Sequence, residues 1–567
     1  MAGVLRPLLL AGVALNLAFP GRMPAVAEEP TRAIRLNSVG YLPGAAKLAS
    51  VAGGVGAEEG AVEAQRFAVR RVADGAVVLE GELSTPKKNA DTEEWLTTAD
   101  FSAVDQSGEY VLAVDGLGES GPFRIDGDLY HEPFRLATRA MYLWRCGAAV
   151  EGDHEGKRYE HAACHLDDAY LDFVGGGHER LHAMGGWHDA GDYNKYVVNA
   201  GATVGVMLRA WEDFGPRMER VPLGIPERGG PLPEFLAEIK WELDWLHTMQ
   251  ADDGSVYHKL STQEFGPLEL PEKETTPRFV TPWSSAATAD FVAMMAQASR
   301  HFAPYDRAYA DKCLAAAKRS YAFLAAHPEE RPAVHAGFKT GGYDSPDGDD
   351  RLWAAAELWE ATGDAATLAD LETRIAASPG VDVDWDWPNL KTLGLLTYLF
   401  SERDGRNAEL VAQVRAGLIA AADEIVATGA ADGYGRPLGS RYYWGCNGSV
   451  ARQSLVLQGA YRLTAEEAYR GSMLDGLNHL LGRNCYGRSF VTGLGERPPR
   501  FPHDRRSEGD DVDAPWPGYL IGGPHPRATS WNDVAEDYRT NEIAINWNGA
   551  LIYALAAFLD APSGAGE

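Results

Sequence analysis

The stretch Asp537-Tyr538-Arg539-Thr540-Asn541-Glu542-Ile543-Ala544-Ile545-Asn546-Trp547-Asn548, continued by Gly549-Ala550-Leu551, sets the reading of the fold. Ile543, Trp547, Ala550 and Leu551 recur at i, i+4, i+7 and i+8, the stripe of a helix with one buried face. The spacing predicts a helix over 541–559, opened by Glu542. Toward the N-terminus, helical patterns run over 131–149, 197–213, 232–250, 284–301, 307–326, 350–362, 365–376, 388–402, 408–427, 450–462 and 466–482. Twelve such helices suit hairpins closed into a ring of six pairs. The long loops between them hold the Trp, His, Asp and Gly residues, and loops of that length in a compact domain usually carry function.

Residues 33–127 follow a different period. Apolar runs over 47–51, 66–69, 76–79, 109–114 and 121–125 sit at strand spacing, punctuated by Gly, Asp and Ser. They predict a small β-sandwich without a catalytic cluster. Before it, Arg6, the apolar run Leu8 to Phe19 and Ala25-Val26-Ala27 have the order of a secretory signal, too short to span a membrane comfortably. A retained anchor is the other reading. The division expected is a signal over 1–27, a sandwich over 28–127 and a helical domain over 128–562. No appended binding domain is expected after the last helix. The destination implied is extracellular or periplasmic.

The 567 residues are too many for one ordinary domain. The formal charge of −29 argues against nucleic acid and anionic membrane as partners, because both repel it. A neutral polymer fits better; a surface acidic only for solubility fits equally. A monomer is expected. Five cysteines, Cys146, Cys164, Cys313, Cys446 and Cys485, are an odd number for a disulfide framework, so at least one is free or metal-bound.

Chemistry concentrates at both ends of the helical region. In Gly185-Gly186-Trp187-His188-Asp189-Ala190-Gly191-Asp192-Tyr193, a tight turn lets Asp189 and Asp192 face one side, which raises one pKa unless they share a water or a cation. A calcium loop or a helix cap are the structural alternatives. Glu542, placed at a helix start, is either a dipole partner or an acid. The dipole would lower its pKa, so burial and nearby carboxylates would have to overcome it. Pro502-His503-Asp504-Arg505-Arg506 suits hydrogen bonding to sugar hydroxyls, or is a solvated charge run.

Cys146, Cys164, His165 and His188 have the ligand types of tetrahedral zinc, with His178 and His182 competing for the last place. Four side-chain ligands leave no open position, so such a zinc is structural. Asp347, Asp349 and Asp350, with Asp382, Asp384 and Asp386 downstream, are oxygen-rich enough for calcium, or cap a helix. Trp283, Tyr442, Tyr443, Trp444, Trp516, Tyr519, Trp531 and Tyr538 lie in loops, and several in one cleft would stack on pyranose rings.

Together these motifs resemble family 9 glycoside hydrolases, the inverting cellulases. Ser489-Phe490-Val491-Thr492-Gly493-Leu494-Gly495-Glu496-Arg497, running on to Pro502-His503-Asp504-Arg505, is similar to that family's first signature. Trp531-Asn532-Asp533, then Tyr538, Glu542, Ala544 and Asn548, is similar to the second, with Gly549 where a slightly larger small residue is usual. Asn37-Ser38-Val39-Gly40-Tyr41-Leu42-Pro43 resembles the opening of the immunoglobulin-like domain found in one bacterial subgroup. The resemblance implies an (α/α)6 barrel, with Glu542 as general acid, Asp192 as general base and Asp189 helping to hold the water. It implies His503 and Arg505 at the sugar, joined here by Trp444 and Tyr538. It further implies structural zinc on Cys146, Cys164, His165 and His188, and calcium on Asp349, Asp350 and Asp386.

The function expected is a secreted endo-β-1,4-glucanase hydrolysing cellulose-type chains with inversion. Rival readings are the same fold acting on mixed-linkage glucan, xyloglucan or oligosaccharide ends, and a carbohydrate-binding protein with a dead barrel. A catalytic zinc is disfavoured, because the two-Cys ligand set favours a structural role.

Overall fold

The structure, a computed structural model, describes residues 30–55, 66–171 and 179–559. The signal expected over 1–27, His178 and the domain end expected at 562 lie outside the described residues.

Ten strands build the N-terminal part: β1 (Ile34–Arg35), β2 (Gly40–Tyr41), β3 (Leu48–Val55), β4 (Arg66–Arg71), β5 (Val77–Glu82), β6 (Lys87–Lys88), β7 (Glu94–Asp100), β8 (Gly108–Val114), β9 (Gly118–Glu119) and β10 (Phe123–Ile125). One sheet runs β1-β3-β7-β6; the other runs β2-β10-β8-β4-β5, with β9 on β8. Period-2 alternation buries Tyr110, Leu112 and Val114 on one face of β8, where they meet Phe67, Val69 and Phe123 of their own sheet and Val51 and Ala99 of the other.

From residue 131 the described residues are mainly helical, with short strands only over 150–161, 195–196, 259–261 and 279–280: α1 (His131–Leu143), α2 (Val197–Met218), α3 (Glu234–Thr248), α4 (Ser285–Phe302), α5 (Arg307–Ala326), α6 (Gly348–Thr362), α7 (Ala365–Ala377), α8 (Lys391–Phe400), α9 (Ala408–Ala431), α10 (Cys446–Thr464), α11 (Glu467–Leu480), α12 (Arg505–Gly509), α13 (Tyr538–Asn541) and α14 (Ile545–Ala556). The twelve long helices are those the periodicity predicts. They form two rings, with α2, α4, α6, α8, α10 and α14 inside and α1, α3, α5, α7, α9 and α11 outside. The inner ring closes between α8 and α10 where Gly459, lacking a side chain, admits Leu396; a Cβ there would stand 3.1 Å from its methyl carbon. Composition sorts the rings. Sixteen of the 18 residues of α4 are buried and all 12 of α14, against seven of the 24 of outer α9.

The segment that opened the sequence reading is not one helix. α13 stops at Asn541, Glu542 to Ala544 are extended, and α14 begins at Ile545. The extended backbone is used for pairing. Ala190 bridges Ala544, His503 bridges Glu542 and Ile521 bridges Ile543.

Candidate active site

A cleft of ≈ 300 Å³ opens at one end of the barrel. It is built from segments entering the N-terminal ends of all six inner helices: Asp189, Asp192 and Tyr196 before α2, Phe265 in the long connection to α4, Gly341 to Tyr343 before α6, Asp386 and Trp387 before α8, Trp444 before α10, and Glu542 and Ala544 before α14. A larger groove of ≈ 930 Å³ lies between the sandwich and the barrel, but none of these carboxyls and no aromatic side chain lines it.

The Asp189–Asp192 turn is held from several sides. The Asp189 amide donates to Asn194 O (3.0 Å), the Ile545 amide to Asp189 O (2.9 Å) and the Trp144 indole to Ala190 O (3.2 Å). Gly191 has to be glycine, because a Cβ would lie 2.1 Å from His503 O. Both Asp189 oxygens accept bonds, from the Asn199 amide (2.7 Å) and the Tyr343 hydroxyl (2.6 Å). Burial, reinforced by the Asp192 charge, nevertheless pushes Asp189 up to about 8. One Asp192 oxygen accepts from Asn194 (2.6 Å) and Tyr196 (3.3 Å). The other is left to the cleft.

Glu542 carries no helix-dipole penalty, because α14 begins three residues later. Burial, then the charges of Asp192 and Asp189, raise its pKa well above the usual carboxylate range, with Arg505 and the Trp444 indole pulling weakly the other way. The expected lowering by a dipole is thereby corrected.

Trp444 and Tyr538, both exposed, meet edge to face at 5.4 Å at the mouth of the cleft. His503 Nδ1 donates to Ala535 O at 2.6 Å, and the ring sits 6.0 Å from Tyr538. Arg505, expected at the sugar, is engaged with backbone carbonyls. Its Nη1 donates to Gly191 O at 2.7 Å, and Nε and Nη2 donate to Gly266 O at 3.3 and 3.2 Å. The other loop aromatics do not converge on the cleft. Trp516 and Tyr519 are buried around Arg506, Trp531 packs on Arg488, Trp283 packs on Arg331, Tyr442 covers Arg436, and Tyr443 donates to Asp384. Phe265, Tyr343 and Trp387 take those places in the cleft. No local motif marks them.

All five cysteines are free thiols. Cys146, Cys164, His165 and His188 bring one donor atom each within 4.8 Å of one another, and no other such group occurs among the described residues. Cys146 Sγ lies 3.6 Å from His165 Nδ1, and Cys164 Sγ lies 3.7 Å from His188 Nε2. Bonds of ~2.3 Å to sulfur and ~2.0–2.1 Å to nitrogen at tetrahedral angles demand S···N edges of about 3.6 Å. The set therefore fits zinc. His182 is not part of it. Gly186 O accepts from the Cys146 amide (2.8 Å) and Trp144 O from the His188 amide (2.9 Å), so the site is laced to the Asp189–Asp192 turn.

The three aspartates expected to hold calcium, Asp349, Asp350 and Asp386, are not among the side chains whose donor atoms converge. Asp386 faces the cleft, paired with Arg452 (2.9 Å) and accepting from Asn546 (2.8 Å). Asp349 accepts from the Leu390 amide at 2.6 Å, and Asp350 is buried against Asp290.

A helical double ring whose open end gathers three carboxyls and exposed aromatics is an (α/α)6-barrel glycoside hydrolase. Residues 130–555 match the Glycosyl hydrolase family 9 profile and residues 29–119 the Cellulase N-terminal ig-like domain profile. The chain belongs to glycoside hydrolase family 9. Endoglucanase D of Acetivibrio thermocellus is 50% identical over 538 residues, covering 94% of this chain and 81% of that one. The xyloglucan-specific endo-beta-1,4-glucanase BoGH9A of Bacteroides ovatus is 33% identical and covers 98% of each chain. Among solved structures, a metagenome-derived family 9 endoglucanase superposes with a TM-score of 0.86 at 34% identity, covering 93% of this chain and 98% of that one.

Proposed function

We propose that this chain is an endo-acting β-1,4-glucanase that cleaves cellulose-type chains by inversion. The observation that carries the reading is the unequal setting of three carboxyls around one open cleft. Glu542, its pKa raised by burial and by the neighbouring aspartates, donates its proton to the leaving glycosidic oxygen. Asp192, with one oxygen free toward the cleft, takes a proton from the water that attacks the anomeric carbon. Asp189, fixed by Asn199 and Tyr343, orients that water. Trp444 and Tyr538 hold sugar rings, and His503, its Nδ1 spent on Ala535, offers Nε2 to a sugar hydroxyl. Arg505 joins it while bracing the turn at Gly191. The name of the 50% identical relative, Endoglucanase D, supports the endo-acting reading.

An inverting pair needs room for water, about 6.5–9.5 Å between carboxyls against roughly 5–5.5 Å in a retaining pair. Proton NMR of fresh hydrolysate decides: α-anomer appears first from a β-glucan. Initial β-product would replace the base with a nucleophile and end this assignment. The xyloglucan-specific relative favours one second reading, a branched glucan as substrate. Initial rates on carboxymethyl cellulose, lichenan and xyloglucan separate the two.

Zinc on Cys146, Cys164, His165 and His188 is proposed as structural, since four protein ligands leave no position for water. Elemental analysis of protein purified without chelator checks for one equivalent. Secretion is proposed from residues 1–27, and mature protein starting at Glu28 is the expected N-terminal sequencing result.

A further inference from the structure

The zinc site has a neighbour that neither the signature motifs nor the mechanism uses. Glu274 Oε2 lies 3.2 Å from His165 Nε2, and both side chains are buried. That places a carboxylate behind the imidazole whose Nδ1 faces Cys146. A carboxylate in this position fixes the tautomer and the ring orientation of a metal-binding histidine. The other oxygen of Glu274 presses on Gly266; a Cβ there would stand 2.2 Å from Oε1. Gly266 O in turn receives two Arg505 donors, and Arg505 reaches on to Gly191 O between the catalytic aspartates.

The same loop carries Phe265 into the cleft. Its ring is 52% exposed, lines the cavity with Asp192, Trp444 and Glu542, and has the Arg505 guanidinium 5.7 Å from its centroid. An exposed aromatic ring at that place is a platform for a pyranose face. The loop is tied to the catalytic turn a second time, by the Tyr193 hydroxyl on Glu269 O at 2.5 Å.

We propose that Glu274 is a positioning residue that couples the metal site to the substrate wall of the cleft: it orients His165 toward the metal and anchors the loop that presents Phe265 to a sugar ring and Gly266 to Arg505. The proposal rests on the zinc reading above. Metal and substrate binding then share one buried carboxylate, whereas the proton transfers at Asp192 and Glu542 do not.

The test reads zinc affinity and KM separately, on the full chain. Zinc affinity comes from competition with a chromophoric chelator, using zinc alone as the probe. Glu274→Gln and Glu274→Ala should weaken zinc by about 10–100-fold. With zinc then supplied in saturating excess, thermal stability should return while KM for cello-oligosaccharides stays raised by roughly 2–10-fold, more than kcat falls. Phe265→Ala should reproduce the KM rise, of the size an aromatic contact supplies, with zinc affinity unchanged. Should the alanine variant at 274 not fold, the isosteric Glu274→Gln carries the test. Wild-type zinc affinity in the Glu274 variants, or weakened zinc with KM unmoved, would overturn the coupling. Wild-type KM in Phe265→Ala would remove the platform. A wild-type protein devoid of zinc would take down the metal reading and the coupling together, whereas a zinc-loaded wild type with indifferent Glu274 variants takes down the coupling alone.

Discussion

Glu542 and Asp189 are both acids whose pKa burial raises, and the proposed mechanism transfers only the Glu542 proton. Glu542→Gln preserves size and removes the transferable proton. Turnover of natural glucans should fall by about 10²–10⁴-fold while binding persists, measured as kcat on cello-oligosaccharides beside an affinity titration. Asp189 gives a stability prediction. Its folded value of about 8 lies above an unfolded value near ~3.9. Between those limits the folded state binds the extra proton, so stability contributed by this group is complete below about pH 4 and is lost as pH rises through about 8. Asp189→Asn, which cannot ionise, should flatten that fall and raise stability at pH 8 by on the order of a few kcal/mol, at the cost of activity. Denaturant melts of both proteins from pH 5 to 9 check this; parallel curves would place the proton elsewhere. The three acids were legible because each stands in a dense local motif. Asn199, Tyr343 and Phe265 were not. Tyr343 reaches Asp189 across 154 residues of chain, and nothing in its neighbours distinguishes it from any loop tyrosine.

Periodicity located the elements and misplaced their junctions. The apolar stripe through Ile543 and Trp547 is real, yet the helix begins only at Ile545, because Ile543 and Ala544 spend their backbone bridging Ile521 and Ala190. Tertiary pairing overrode the local pattern at the very residues that carry Glu542. Strand β7 escaped notice for the opposite reason. It reads Glu94-Trp95-Leu96-Thr97-Thr98-Ala99-Asp100, with little apolar contrast, since Thr97 and Ala99 face the sandwich while buried Glu94 pairs with Arg35 at 2.6 Å and Leu96 packs on Tyr434 of the barrel. A strand serving two neighbours loses the alternation that announces one. Gly549 offers a test at this scale. It sits inside α14, where glycine costs about 1 kcal/mol relative to alanine. An added Cβ would meet Thr203 at 3.4 Å, an ordinary contact. Gly549→Ala should therefore stabilise the protein by about 0.5–1 kcal/mol, read as a raised denaturation midpoint at unchanged slope. A lower midpoint would mean that α2 and α14 pack too tightly to yield.

The whole molecule joins a sandwich that holds none of the proposed site residues to a barrel that holds them all. Sequence composition separated the two but said nothing of how firmly they dock, because the contacts lie between residues hundreds of positions apart. Asn37 donates to Asn478 (3.0 Å), and the Ser38 amide to Leu481 O (3.0 Å). The Glu496 amide donates to Ser38 Oγ at 2.8 Å, which fixes the loop leading to His503. Ser50 donates to Gly433 O (2.8 Å), Arg35 and Glu94 share the Tyr434 hydroxyl, and Ala52, Leu96 and Tyr434 form an apolar cluster of their own. Deleting residues 28–127 would leave Tyr434, Asn478 and the Glu496 amide without these partners on a newly exposed face. Water takes over the polar groups, so each lost bond costs only about 0.5–1.5 kcal/mol, but several at once, with the apolar surface around Tyr434 exposed as well, are comparable to the stability of a whole domain. The isolated barrel should accordingly melt far below the full chain by calorimetry or not accumulate in soluble form. Whatever fraction folds should retain kcat within a few-fold at mild temperature, since no residue of the cleft is removed. A barrel of undiminished melting temperature with an altered substrate range would make the sandwich a binding domain instead of a brace.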